Sequence, residues 1–198
     1  MSSALDSTIA LVTTTSMANY LGIPSGGTEE TEMDLMINAA SQWALEYTDR
    51  STIVRNTSLT EYYDGDNTRT LITRSKPINS VVSINIDTAW AYGSDTLVSA
   101  SNYTVYTSYG MIKTVSDVFL RWPNSVKLVY DVGFATIPWD IQSAVKELVR
   151  FWYERGTGAR VGVRSVNVGD KNITYETDIP ASVKRVMDQY VLWRGIVR

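Results

Sequence analysis

Between Trp122 and Tyr153 the order of residues leaves few folding options. Val126-Lys127-Leu128-Val129-Tyr130 is an extended run, Gly133-Phe134 marks a turn, and Ile137-Pro138 starts a helix that is rich in aromatics through Phe151-Trp152-Tyr153. Ile141, Ala144, Val145, Leu148, Val149 and Trp152 fall at the i, i+3, i+4, i+7 spacing of one buried helix face. Lys146, Glu147, Arg150 and Glu154 occupy the other side. The segment therefore reads as a strand delivered into an amphipathic helix, and none of its side chains is chemically reactive.

The rest of the composition narrows the chemistry further. A chain of 198 residues forms one large domain or a body with one insertion. At that size it buries roughly 70% of its unfolded surface, so it needs no covalent staple, and it has no cysteine to make one. The lack of cysteine fits a reducing cytosol. Histidine is also absent, which removes cysteine–histidine zinc sites, the Ser-His-Asp triad and Cys-His pairs. Enzymes built on Asp, Glu, Lys or Tyr stay open. Met1-Ser2-Ser3-Ala4-Leu5-Asp6 lacks the basic and apolar regions of a secretory signal, and no run approaches the ~20 apolar residues of a membrane helix. The expectation is a soluble protein, made in the cytoplasm and without a membrane partner.

The net charge of -3 is unevenly divided. Residues 1–140 carry 8 Lys/Arg against 15 Asp/Glu, and residues 141–198 carry 10 against 6. A general nucleic-acid binder would show a basic stripe over its body. An acidic body with a basic tail suits an acidic protein partner better, or simply a solvated helix face.

Helical signals bracket a β-rich middle. Thr14, Thr15 or Ser16 is expected to cap a short helix through Tyr20-Leu21, closed by Gly22 and Pro24. Thr28 or Thr31 caps a second helix, with Met33, Met36, Ile37, Ala40, Trp43, Ala44 and Tyr47 at helical spacing to about Asp49. Glu29, Glu30, Glu32 and Asp34 crowd its first turns, where they complement the helix dipole more readily than they would bind a metal. From Thr52 to Val132 the pattern is of strands. Leu59–Tyr63, Asp64-Gly65-Asp66-Asn67 and Thr70–Thr73 read as a hairpin, with the middle four residues as its turn. Pro77-Ile78 begins a strand in which Val82, Ile84 and Ile86 alternate with Ser83, Asn85 and Asp87. Tyr103–Tyr106 and Met111–Thr114 flank Ser108-Tyr109-Gly110 as a second hairpin, and Val126–Tyr130 closes the region. Past the central helix, residues 156–178 read as a long, polar loop, of a length that is usually functional. Ile179-Pro180-x-x-Val183 then echoes Ile137-Pro138-x-x-Ile141 and opens a last helix over 180–198. Its apolar face is Val183, Val186, Met187, Tyr190 and Val191.

Motifs for chemistry are weak. Gly156-Thr157-Gly158 with Gly162 departs from a phosphate loop and follows a helix rather than a strand. Asp64-Gly65-Asp66 is too short for a calcium loop. Asn56-Thr57-Ser58, Asn102-Tyr103-Thr104 and Asn172-Ile173-Thr174 match the glycosylation pattern without a secretory signal to use it. Tyr62, Tyr63, Tyr103, Tyr106 and Tyr109 cluster in the β region, where core packing and strand propensity account for most such residues.

In sequence order, several pieces resemble the tailed-phage head–tail connector family, also called adaptor or head-completion proteins. Ile37-Asn38-Ala39-Ala40-Ser41 with Glu46-Tyr47-Thr48-Asp49-Arg50 resembles the end of that family's second helix. Lys76-Pro77-Ile78-Asn79-Ser80-Val81 resembles a strand start in it, and Val126 to Tyr153 its strand–turn–helix core. Arg164-Ser165-Val166-Asn167-Val168-Gly169-Asp170 with Ile173-Thr174-Tyr175 resembles its inter-helix loop, and Ile179-Pro180 its final helix. The resemblance covers nearly the whole chain.

The expected fold is α+β: a helical bundle body of residues 1–51 and 134–198, with an antiparallel β domain, a small sandwich or barrel, inserted at 52–133. The resemblance implies a structural virion protein of the neck, with no catalytic residues, cofactor or metal. It implies a homo-oligomeric ring in the virion, a dodecamer matched to the portal, from a protein that is monomeric alone. The ring would extend the DNA channel, with genomic DNA passing through the lumen without specific binding. It would also offer a platform to the next tail or neck component, a stopper, terminator or nozzle. Lys184, Arg185, Trp193, Arg194 and Arg198 are the candidate portal contacts, and Arg164, Val166, Gly169, Asp170 and Tyr175 the candidate mobile interface loop. The alternative is a ligand- or carbohydrate-binding β module on a helical stalk, and after it an enzyme using Asp, Glu or Tyr.

Overall fold

A computed structural model describes residues 4–24, 28–157, 165–168, 171–174 and 178–191. Its contacts divide the chain into two units, one from residues 1–49 and 137–198, the other from residues 50–136.

The first unit contains α1 (Thr14–Leu21), α2 (Thr28–Thr48), α3 (Trp139–Thr157) and α4 (Ala181–Asp188). The cap of α1 is Thr13, one residue ahead of the expected candidates, and its hydroxyl accepts the Ser16 N–H at 3.2 Å. Gly22 ends the helix in the left-handed region (φ 70°), which a residue with a Cβ would resist. On α2, Met33, Ile37, Ala40, Ala44 and Leu45 are buried, whereas Trp43 and Tyr47 are half-buried, their ring centres 4.9 Å apart. On α3, Ile141, Val145, Leu148 and Val149 are fully buried and Ala144 nearly so, as the spacing requires. Trp152 lies on the same face but is only half-buried, one turn nearer the end of the helix than Leu148 and Val149.

Pro138 and Pro180 each stand immediately before their helix. The Pro138 carbonyl accepts the Gln142 N–H, and the Pro180 carbonyl the Lys184 N–H. In both helices the apolar residue three positions after the proline, Ile141 or Val183, is fully buried. The echo in the sequence is thus one device used twice: a residue with no N–H to satisfy starts the helix and aims its first turn at the core.

Two expectations about this unit are corrected. Residues 156–178 are not loop throughout: α3 runs to Thr157, and β7 (Ser165–Val168) pairs antiparallel with β8 (Lys171–Thr174). Short alternation across Val166-Asn167-Val168 and Asn172-Ile173-Thr174 gives such a ribbon enough strand character. The last helix is also shorter than expected. It stops at Asp188, and the chain turns at Gln189 and Tyr190.

The second unit holds two three-stranded antiparallel sheets, ordered β1-β6-β3 and β2-β5-β4. The strands are β1 (Asn56–Tyr63), β2 (Thr70–Ile72), β3 (Ile78–Ile86), β4 (Tyr103–Tyr106), β5 (Met111–Thr114) and β6 (Val126–Val132). Both sheets feed one core, in which Ile84, Leu128 and Tyr130 from the first meet Leu71 and Ile112 from the second, with Phe119 beside them. Expected strands β4 and β5 pair as a hairpin, with Gly110 in the left-handed region. Strand β6 does more than close the region, since it lies between β1 and β3.

The hairpin expected from Leu59–Tyr63 and Thr70–Thr73 does not form, because β1 pairs with β6 and β2 with β5. At Asp64-Gly65-Asp66 the chain crosses between sheets. The Gly65 N–H donates to the Trp122 carbonyl, and the Asn67 N–H to the Phe119 carbonyl. A Cβ on Gly65 would lie 1.9 Å from the Leu120 carbonyl oxygen. That glycine serves a close backbone approach rather than a reverse turn. In β3 the register against β6 slips twice, between Ile78 and Ser80 and between Val81 and Ser83. These bulges turn Val82 outward (62% exposed) and Asn85 inward, against the simple alternation.

Candidate assembly surfaces

Helix α4 is tied into its own unit. Val183 and Met187 are fully buried. Ser182 Oγ donates to Glu147 of α3, Tyr47 OH of α2 donates to Asp188 Oδ1 at 2.7 Å, and Tyr190 OH donates to the Asp140 carboxylate at 2.8–2.9 Å. The Asp188 bond keeps the Tyr47 phenol protonated above the usual tyrosine range. The apolar face of α4 is therefore occupied within the chain, and the side left over carries Lys184, half-buried, and Arg185, exposed. The structure places these two candidates on one helix. Trp193, Arg194 and Arg198 lie outside the described residues, as do Arg164, Gly169, Asp170 and Tyr175. Val166 lies in β7, in register with Ile173.

The β unit has a polar centre that sequence reasoning did not find. Glu61 is buried and its carboxylate accepts three hydroxyls, from Ser51, Tyr63 and Tyr130, the last at 2.6 Å. Burial first, and the carboxylate next to it, push the Tyr63 phenol well above the tyrosine range. Burial and the neighbouring Tyr63 do the same to Tyr130. Phenols held this firmly protonated are hydrogen-bond donors at neutral pH and not bases or nucleophiles. Nearby on the sheet, Arg55 grips Asp131 through two nitrogens, and Asn79 Nδ2 donates to the same carboxylate at 3.0 Å. The Arg55 bond is the main reason that Asp131 stays below the usual carboxylate range.

A second feature is an aromatic loop. The Asp87 carboxylate accepts backbone N–H groups from Ala89, Ala91 and Tyr92 at 2.7–2.8 Å, which lower its pKa. Trp90, Tyr92 and Asn124 all have positive φ (61°, 48° and 49°). The Trp90 indole donates to the Pro123 carbonyl at 2.8 Å and Tyr92 OH to the Asn124 carbonyl at 2.6 Å. With Tyr62 these residues line a cleft of about 410 Å³. The run Asp87-Thr88-Ala89-Trp90-Ala91-Tyr92-Gly93 carried the signal, an acidic residue followed by free backbone donors, but its exposed aromatics were hidden among those of the core.

A family model described as head completion protein matches residues 10–191. No curated protein matches the chain. Among solved structures, a chain in the neck of an empty GTA particle, computed with C6 symmetry, has a TM-score of 0.60 and 19% identity over 98% of this chain and 95% of that one. A chain in the virion of the native gene transfer agent (GTA) particle has a TM-score of 0.57 and 18% identity, covering 95% and 93%. One in the neck of the native GTA particle, computed with C12 symmetry, has a TM-score of 0.56 and 17% identity, covering 98% and 95%. At these identities the likeness is one of fold.

Proposed function

The chain belongs to the head completion protein family, and from that premise we propose that it forms a ring beneath the portal, extends the DNA channel and offers the tail its platform. Its role is structural, as a head–tail connector in the particle neck, and its family is not one of enzymes. The observation that carries this reading is the family match itself, which runs through both units from residue 10 to residue 191. The necks of similar fold, one with C12 symmetry, support a closed ring of copies. The body of residues 1–51 and 134–198 carries the ring, with residues 52–133 as its inserted domain. Charge supports the channel: clustered Lys/Arg on a lumen wall would bind phosphates and hold back the genome, whereas an acidic body lets it pass. Lys184 and Arg185 on the free side of α4 meet the portal, together with Trp193, Arg194 and Arg198. The protein assembles in the host cytoplasm, adding to filled heads before the next neck component.

DNA-filled heads that lack this protein test the reading. Addition of the purified full-length chain should restore tail joining, and electron micrographs should show new ring density under the portal. Tails that join equally well without it, or density elsewhere on the particle, would overturn the proposal.

A further inference from the structure

We propose that the cleft formed by Tyr62, Trp90, Tyr92 and Asn124 binds a neutral oligosaccharide, with one sugar ring lying against the Trp90 and Tyr62 rings. The site goes beyond the connector role and stands on the geometry of the β unit alone.

The loop after β3 holds its aromatic rings still. Asp87 at its start is buried, and its carboxylate takes the N–H groups of Ala89, Ala91 and Tyr92 at 2.7–2.8 Å. Trp90 and Tyr92 sit at φ 61° and 48°, a region that is costly for a residue with a Cβ and that glycine enters freely. A loop that needed only to turn would carry glycine there. Strain kept at two aromatics marks their rings as what the loop presents. Each ring is also pinned at its polar end, Trp90 Nε1 on the Pro123 carbonyl at 2.8 Å and Tyr92 OH on the Asn124 carbonyl at 2.6 Å. Pinned rings have little rotamer freedom left to lose on binding. Trp90 is nevertheless 55% exposed and Tyr62 41%. Tyr92 is half-buried and acts as their buttress, its ring centre 5.5 Å from that of Tyr62 and 5.5 Å from Lys127 Nζ.

The chemistry of the cleft selects the ligand. None of the four lining residues is charged. The charged groups that touch them are engaged: Asp64 takes the Asn124 N–H at 2.7 Å, Asp87 the Tyr92 N–H, and Lys127 lies over the Tyr92 ring. With the indole N–H and the Tyr92 hydroxyl spent, two polar groups remain. Among the described residues, the Tyr62 hydroxyl and the Asn124 side-chain amide make no hydrogen bond. Both can donate and accept. The fitting ligand is uncharged, with an apolar face for the rings and hydroxyls at its rim. A pyranose has that form, since its C–H bonds point a weakly positive face at the negative face of an aromatic ring. The volume of about 410 Å³ is in the range of small-ligand sites. A proline-rich peptide also seeks exposed aromatics, but it needs successive slots about 9 Å apart along its length. Tyr62 and Tyr92 are in contact, tilted by 52°, and close the slot between them. If copies surround the neck as proposed above, the ring repeats the cleft, and weak sites add on one polymeric glycan.

Titration calorimetry on the full-length protein tests the site, with cellohexaose, maltohexaose, mannohexaose and chitohexaose as neutral probes and decaproline as the peptide probe. The expected result is binding of at least one hexasaccharide with a Kd of about 1 mM or tighter, and none of decaproline. Trp90→Ala should weaken binding at least about tenfold, since the stacked ring is lost. Tyr62→Phe and Asn124→Gly remove only the unspent polar groups, the glycine keeping the left-handed backbone, and each should weaken binding about three- to tenfold. These two decide the matter if Trp90→Ala melts early. Tyr109→Ala removes an exposed ring outside the cleft and should change nothing. No hexasaccharide bound at about 10 mM, a level at which a millimolar site is nearly filled, would overturn the proposal. So would wild-type binding by the folded cleft variants, an equal loss in Tyr109→Ala, or binding of decaproline that Trp90→Ala abolishes.

Discussion

Glu61 gathers three hydroxyls inside the β unit, and its loss should be felt through the partners it leaves behind. Glu61→Leu should cost roughly 1–3 kcal/mol for each buried hydroxyl orphaned, because an unpaired buried donor forfeits its hydration. Adding Tyr130→Phe should cost less than the sum of the two single changes, since that ring no longer has a hydroxyl to satisfy. Urea melts of the four proteins measure the coupling, and strict additivity would mean that the cluster is not cooperative. Two other carboxylates set the acid response. Asp87, held by backbone N–H groups, and Asp131, held by Arg55, have folded-state pKa values below their unfolded ones. Their contribution is fully present above the usual aspartate value of ~4 and fades as pH falls through the folded values. Melting temperature should therefore drop between pH 5 and pH 3, and less steeply in Asp87→Asn than in the wild type. The crowding of tyrosines was legible in the sequence. Which of them are buried was not: Tyr63 is a core residue and its neighbour Tyr62 is exposed, because one faces each side of β1.

Helix α3 is the element most plainly written in the chain. Its period of 3.6 selects the buried face, so Leu148→Ala should cost about 2–5 kcal/mol. Trp152→Ala should cost less than Leu148→Ala, because the indole is only half-buried, and denaturant melts of the two variants test the order. Helix α4 separates stability from attachment. Truncation before Pro180 removes the buried Val183 and Met187 and should lower the circular-dichroism melting temperature. Lys184→Ala with Arg185→Ala removes only surface charge and should leave stability within about 0.5 kcal/mol. If this side of α4 meets the portal, the double variant folds normally and joins filled heads poorly. Wild-type attachment by that variant would reassign the helix to the core alone. Strand pairing was less legible than the helices. Asp64-Gly65-Asp66 has the composition of a turn, but composition does not distinguish a glycine needed for a reversal from one needed where Leu120 passes close.

For the molecule as a whole, the free protein should sediment as a monomer at micromolar concentration and assemble on heads. A ring already present in the ultracentrifuge would mean that the portal is not needed to nucleate it. By itself the sequence determined the helices, the α+β class and the kind of protein, since each depends on local period, on proline and glycine at element ends and on the order of motifs. It also excluded cysteine and histidine chemistry by composition alone. Tertiary structure decided which strands pair, since the partner of β1 lies across the sheet, more than sixty residues away. It decided as well which polar groups meet in the interior, and which faces of α2 and α3 stay in solvent. A stripe becomes a surface only when every other face of its helix has been covered, and no window of the sequence contains the residues that cover it.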